Sequence, residues 1–144
     1  MKHGEGRNKH KGVKLRVTKK VKTMRISNKE ITSRILRTVP YNNAFYFFTD
    51  IGEYSGKLAV SLTEFCKRIE TIDIKSVNFH FKRQDFEKWI RGTIGDIYLA
   101  NEINKINKSI QGEELRVKIY QTIESHLTEL KKLLASERTY LEGI

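Results

Sequence analysis

The chain is poor in cysteine, proline, tryptophan and methionine, with one, one, one and two in 144 residues. The single thiol, Cys66, excludes an intramolecular disulfide and the stapled framework of a small secreted domain. Four histidines and one cysteine show neither H-x-x-x-H nor C-x-x-C spacing, so no metal and no other cofactor is expected. No apolar run approaches the roughly 20 residues that span a bilayer. The leading residues have no apolar h-region, so a secretory signal is not expected either. The expected location is cytoplasmic, with no membrane partner. Neither GEYSG nor GTIGD ends in the Gly-Lys-Ser/Thr of a phosphate cradle, so Gly52 and Gly56 read as turn residues. No internal repeat and no low-complexity tract is present.

The scarcest component of the first 25 residues is acid. They hold ten of the 28 lysines and arginines but only Glu5 of the 17 acids. The remaining residues hold 18 bases and 16 acids, so a net charge of +9 precedes a nearly neutral body of +2. Such a partition describes a polyanion hook carried by a folded domain. Arg7, Lys9, Lys11, Lys14, Arg16, Lys19, Lys20, Lys22 and Arg25 are the expected phosphate contacts. Each such contact releases counterions. Gly4, Gly6 and Gly12 let the backbone approach, and the mixture resembles the extended tails that ribosomal proteins thread into RNA. Within the arm, Val13, Leu15 and Val17 alternate with Lys14, Arg16 and Thr18, a strand period. The blander readings are a solvated tail or an anchor on anionic lipid or acidic protein. Apolar residues are too sparse for membrane insertion.

The rest reads as helical. Ser27 and Glu30 have capping-box spacing before a helix from Asn28 to about Arg37, with Ile31, Ile35 and Leu36 inward. Pro40 marks its end. Ala44 to Phe48 reads as a buried short strand, and Asp50 to Gly56 as a turn or loop. Ser61 and Glu64 repeat the capping box, and Leu62, Phe65, Cys66, Ile69 and Ile72 recur at helical spacing, which makes Cys66 inert core. Two short helices follow. Asp73 or Ser76 would cap the first and Asp85 the second. Phe86, Trp89, Ile90 and Ile94 share a face that Gly95 stops. Ile97, Leu99, Ala100 and Ile103 predict another helix. Beyond Gly112, Glu113 to about Leu141 reads as one long helix. Its heptad seam is Tyr120, Ile123, Leu127, Leu130, Leu134 and Leu141, broken at Glu137 and widened by Leu115, Ile119 and Leu133. A widened stripe suits a helix packed on its own domain.

Residues 39–103 contain an aromatic run, then G-x-Y-(S/T)-G, S-L-x-E-F, F-H-x-x-R-x-D-F-x-x-W-I and G-D-x-x-L-A. This pattern resembles a family of small, mostly archaeal domains of unknown function. Its most specific part is His80, Arg83, Asp85, Phe86, Trp89 and Ile90. The resemblance implies a largely helical intracellular domain and a glycine where this chain has Gln84. It implies no activity.

His80, Arg83, Asp85 and Glu87 lie close in sequence, and histidine is a common general base. Capping by Asp85, a helix-dipole role for Glu87 and a part-buried His80 between two phenylalanines explain them without catalysis. Tyr41, Tyr46, Tyr54 and Tyr98 could stack bases if exposed, with Tyr41 and Tyr54, in loops, best placed. The expectation is a mainly α protein: a basic arm (1–25), a helical body with at most a short strand pair (26–110), and a long C-terminal helix (111–144). Its expected function is non-catalytic binding of nucleic acid, RNA before DNA, on a ribonucleoprotein such as the ribosome. Rival functions are a protein-interaction or dimerisation module using the 113–141 helix and a chromatin-type DNA binder.

Overall fold

The structure is a computed structural model that describes residues 28–142, with side chains through residue 136. The basic arm, with its nine candidate phosphate contacts and the Val13–Val17 alternation, lies outside the described residues. So do the Ser27 cap and the side chains of Glu137 and Leu141. The chain divides after Thr32 into two units. Of the first, only 28–32 is described, the opening of helix α1 (residues 28–35). In it, Ile31 is 46% exposed and Thr32 is buried, so the inward assignment of Ile31 fails. The buried stripe starts one position later, and helical spacing then carries it to Ile35 and Leu36.

The second unit, residues 33–144, is mainly helical, as composition and periodicity predict. Helix α1 stops at residue 35, two residues short of expectation, as the backbone turns towards Pro40. Arg37 closes this end: its guanidinium donates to the carbonyl of Arg34 at 2.7 Å and to that of Thr93 at 2.7 Å. Strand β1 (Phe45–Asp50) pairs antiparallel with β2 (Glu53–Ala59). Only Ile51 and Gly52 form the turn, so the expected loop through Gly56 is instead largely strand. Polar residues and glycines concealed it, because most of β2 faces solvent and needs no apolar alternation. Phe47 opposes Lys57 while Phe48 opposes Tyr54, which leaves Ser55 and Gly56 as a bulge. Gly56, at φ +83°, takes a left-handed conformation that suits glycine.

Helix α2 (Leu62–Thr71) starts as the capping box predicts. Ser61 Oγ accepts from Glu64 N at 3.1 Å, and Glu64 Oε1 accepts from Val60 N at 3.0 Å, one residue ahead of the usual partner. In α3 (Ile74–Lys82), Asp73 caps by accepting from Lys75 N at 2.9 Å, and Ser76 is buried. Helix α4 (Asp85–Trp89) runs into a π-helical turn, Ile90–Ile94, which Gly95 ends at φ +86°. Helix α5 (Ile97–Asn104) buries Leu99, Ala100 and Ile103. Ile97 is 57% exposed, contrary to expectation, because as the first residue after the Asp96 cap it precedes the packed face.

Helix α6 (Gly112–Glu142) packs against α2, α3 and α5. Its start is tied to α3, where Asn78 Oδ1 accepts from Gly112 N at 2.8 Å. Leu115, Ile119, Ile123, Leu127 and Leu130 are buried in the chain's own core, and Leu133 is exposed. The centre of that core is aromatic: Phe65 stacks on Phe47 and Trp89 at 5.5 and 5.3 Å between ring centroids. The Trp89 indole N–H donates to Asn43 O at 2.8 Å, so its burial leaves no donor unmet.

Gln84 links α3 to α4 at φ +63°, among the described residues the one non-glycine with positive φ. The glycine that the family resemblance implies here thus has a physical basis: the turn wants a left-handed residue. Gln84→Gly should raise stability by about 0.5–1 kcal/mol, the relief of strain exceeding the added freedom of the unfolded chain. The midpoint of urea unfolding checks it. A lower midpoint would show that the glutamine side chain contributes more than its backbone costs.

Candidate functional site

The hairpin, the end of α3 and the start of α4 enclose a cleft of about 360 Å³. Phe45, Tyr46 and Phe48 of β1 and Phe79 of α3 line it, with His80, Arg83 and Asp85 beside them and Asp50, Ile51 and Gly52 at the hairpin tip. The elements explain this convergence. Alternation along β1 buries Phe45 and Phe47 and leaves Tyr46 and Phe48 half-buried. The left-handed turn at Gln84 folds α4 back so that Asp85 meets α3.

Asp85 is not the cap of α4. It is the helix's first residue, and the Gln84 side chain makes no capping bond. The reason is competition: Asp85 Oδ2 accepts from His80 Nδ1 at 2.8 Å and from Arg83 Nε at 3.1 Å. His80 is 4% exposed. Its Nε2 accepts the backbone N–H of Phe48 at 2.8 Å. A nitrogen that accepts carries no proton, so the ring proton sits on Nδ1 and is donated to Asp85. Both nitrogens are thereby engaged, and neither is open to a reacting group. Burial pushes the His80 pKa below its usual 6.5, with the Asp85 hydrogen bond pulling the other way. Phe45 and Phe79 set their rings edge-on to the imidazole at 4.8 and 5.0 Å. The Arg83 guanidinium carbon lies 4.9 Å from the centre of the Phe79 ring. Glu87 pairs with Arg91 at 3.0 Å rather than with Arg83.

The candidate stacking tyrosines divide. Tyr41, in the 3-10 turn Tyr41–Asn43, is 72% exposed, and Tyr98 on α5 is 63% exposed. Tyr46 is half-buried, and its hydroxyl donates to Tyr41 O at 2.6 Å. Tyr54 lies within β2 rather than in a loop, 5.7 Å from the Tyr46 ring and 5.5 Å from the Phe48 ring. Cys66 is buried, and burial pushes its thiol up to about 12, so it is inert core as expected.

Sequence reasoning missed a second acid–histidine pair. Asp96 Oδ1 caps α5 by accepting from Leu99 N at 2.9 Å, while Oδ2 contacts His126 Nε2 of α6 at 2.5 Å. The partners are 30 residues apart and share no motif, so only the fold brings them together. Among the described residues, no cluster of three or more histidine, cysteine or acidic side chains could hold a metal ion. None of the described helices is long and apolar enough to cross a membrane.

No curated protein and no solved structure matches the chain. A family model does match, over residues 19–124, a span that takes in the hairpin, every helix from α1 to α5, the cleft and the first part of α6. The chain therefore belongs to the family of unknown function DUF5752.

Proposed function

We propose that this protein binds RNA without catalysis, on or within a ribonucleoprotein such as the ribosome, through its basic leading residues. The observation that carries this reading is the charge partition: +9 on residues 1–25 against +2 on all the rest. Lysines and arginines at that density, spaced by glycines, can follow an irregular line of phosphates and order upon it. The state of His80 supports the non-catalytic half of the reading, since its two nitrogens are held by Phe48 and Asp85. Exposed Tyr41 offers the body a ring on which a base could stack. DNA would meet the same arm chemistry. No helix-turn-helix signature favours it.

The dimerisation reading finds less support, because α6 already buries its apolar stripe through Leu130 within the chain. A cytoplasmic location accords with this function. The string His80, Arg83, Asp85, Phe86 and Trp89 then serves as structural signature of a mostly archaeal family, in which the acid and arginine fix the histidine that braces the hairpin. Native purification at low and high salt tests the function. RNA and ribosomal proteins should accompany the chain at low salt and leave it at high salt. Recovery free of nucleic acid in dilute buffer would overturn the proposal.

A further inference from the structure

The aromatic cleft presents solvent-facing polar groups of both kinds that no described protein group engages. Arg83 lines it and uses Nε on Asp85, and among the described residues no acceptor takes its terminal nitrogens. Among the described residues, Asp85 engages only Oδ2, and Oδ1 meets no protein donor. Asp50 engages Oδ1 with Ile51 N at 2.7 Å, and its Oδ2 likewise meets none among them. His80 contributes a wall and no free nitrogen. The lining thus offers flat aromatic faces, two carboxylate oxygens able to accept from a ligand's N–H groups, and a guanidinium able to donate to its acceptors. With one cation against two carboxylates and a neutral imidazole, it does not suit a bare phosphate. A cationic side chain would satisfy the acids but stand against Arg83. The volume of about 360 Å³ falls at the small end of ligand sites and accommodates one nucleoside.

We propose that this cleft takes a single unstacked nucleobase bearing an amino group, guanine best of the four. Guanine carries a ring N–H and an amino group side by side for a carboxylate, and O6 and N7 on another edge for a guanidinium. Its faces would lie against Phe48 or Phe79, as unpaired RNA bases lie on aromatic side chains. The base comes from an RNA strand or from a free nucleotide. The first source rests on the RNA-binding reading above, and the second does not.

The test is the amide spectrum of the full-length chain titrated with GMP, UMP, ribose 5-phosphate, N-acetylarginine amide, and a short RNA with one unpaired guanine. The amides of Phe48, which bonds His80, and of Gly52, at the hairpin tip, report on the cleft. GMP should shift both saturably, with UMP weaker and ribose 5-phosphate without effect. A shift with the RNA alone supports the proposal and assigns the base to a strand. Arg83→Ala should weaken binding about tenfold, the worth of a hydrogen bond to a charged group. Asp50→Asn should weaken it as well without loss of the fold, because the amide oxygen keeps the Ile51 contact while an N–H2 replaces the Oδ2 that would accept from the base. Shifts from ribose 5-phosphate equal to those from GMP, shifts from the arginine amide alone, or no shift with any of them would overturn it. Retention of RNA by a chain whose arm is neutralised would instead count against the arm alone, so the two readings fail separately.

Discussion

Replacing His80 by alanine is expected to cost about 3 kcal/mol of stability, a large effect for one residue outside the aliphatic core. Two losses add. The N–H of Phe48 loses its acceptor at a part-buried position, and the ring leaves a gap among Phe45, Phe47 and Phe86. Asp85 and Arg83 would remain paired at the more exposed edge. Chemical denaturation measures the change, and a loss under about 1 kcal/mol would show that the hairpin does not depend on this brace. His80→Gln, whose amide oxygen can accept from Phe48, should recover part of the loss.

The same pair of variants isolates the pH dependence. Because the folded pKa of His80 is lowered, the unfolded chain binds the proton first as pH falls. Stability from the neutral ring is therefore complete above about pH 6.5 and declines below it until the folded pKa is reached. The wild-type chain should lose stability relative to His80→Gln as pH drops through that window. A parallel decline of both would assign the acid sensitivity to other groups.

What the sequence made legible follows from local physics. Capping by Ser61, the aromatic strand at Phe45–Phe48, the Phe86–Ile94 face and the Gly95 stop all depend on neighbours within a turn or two, and each is found in place. Strand β2 was hidden because its pairing comes from β1 and its exposed residues carry no period. Asp85 was misassigned as a cap because a carboxylate ahead of an apolar run fits that role by spacing alone. Only the positive φ at Gln84 turns it toward His80. The cleft was invisible for the same reason: it joins the hairpin tip to the α3–α4 corner across more than 30 residues. Conversely, the charge partition is plain in the sequence and needs no fold.

The second large effect concerns that partition. Changing Lys9, Lys11, Lys14, Arg16, Lys19, Lys20 and Lys22 to glutamine in the full chain should abolish most RNA affinity while leaving the unfolding midpoint within experimental error. The near-neutral body supplies little long-range attraction of its own, whereas each arm cation that meets a phosphate releases condensed ions. If six to nine residues engage, single-stranded RNA should give a slope of log affinity against log salt of about −4 to −6. That corresponds to a loss of roughly several hundred- to several thousand-fold between about 50 and 200 mM. Duplex RNA or DNA would give a steeper slope for the same contacts, so comparing them also ranks the partners. The measurement that bears most directly on the account is this salt slope, taken for the natural and the neutralised chain side by side. A steep slope that falls to about −1.4 or shallower on neutralisation, the share of the retained Arg7 and Arg25, is the predicted result. Equal slopes in the two chains, or no measurable RNA affinity at the lowest salt, would contradict it.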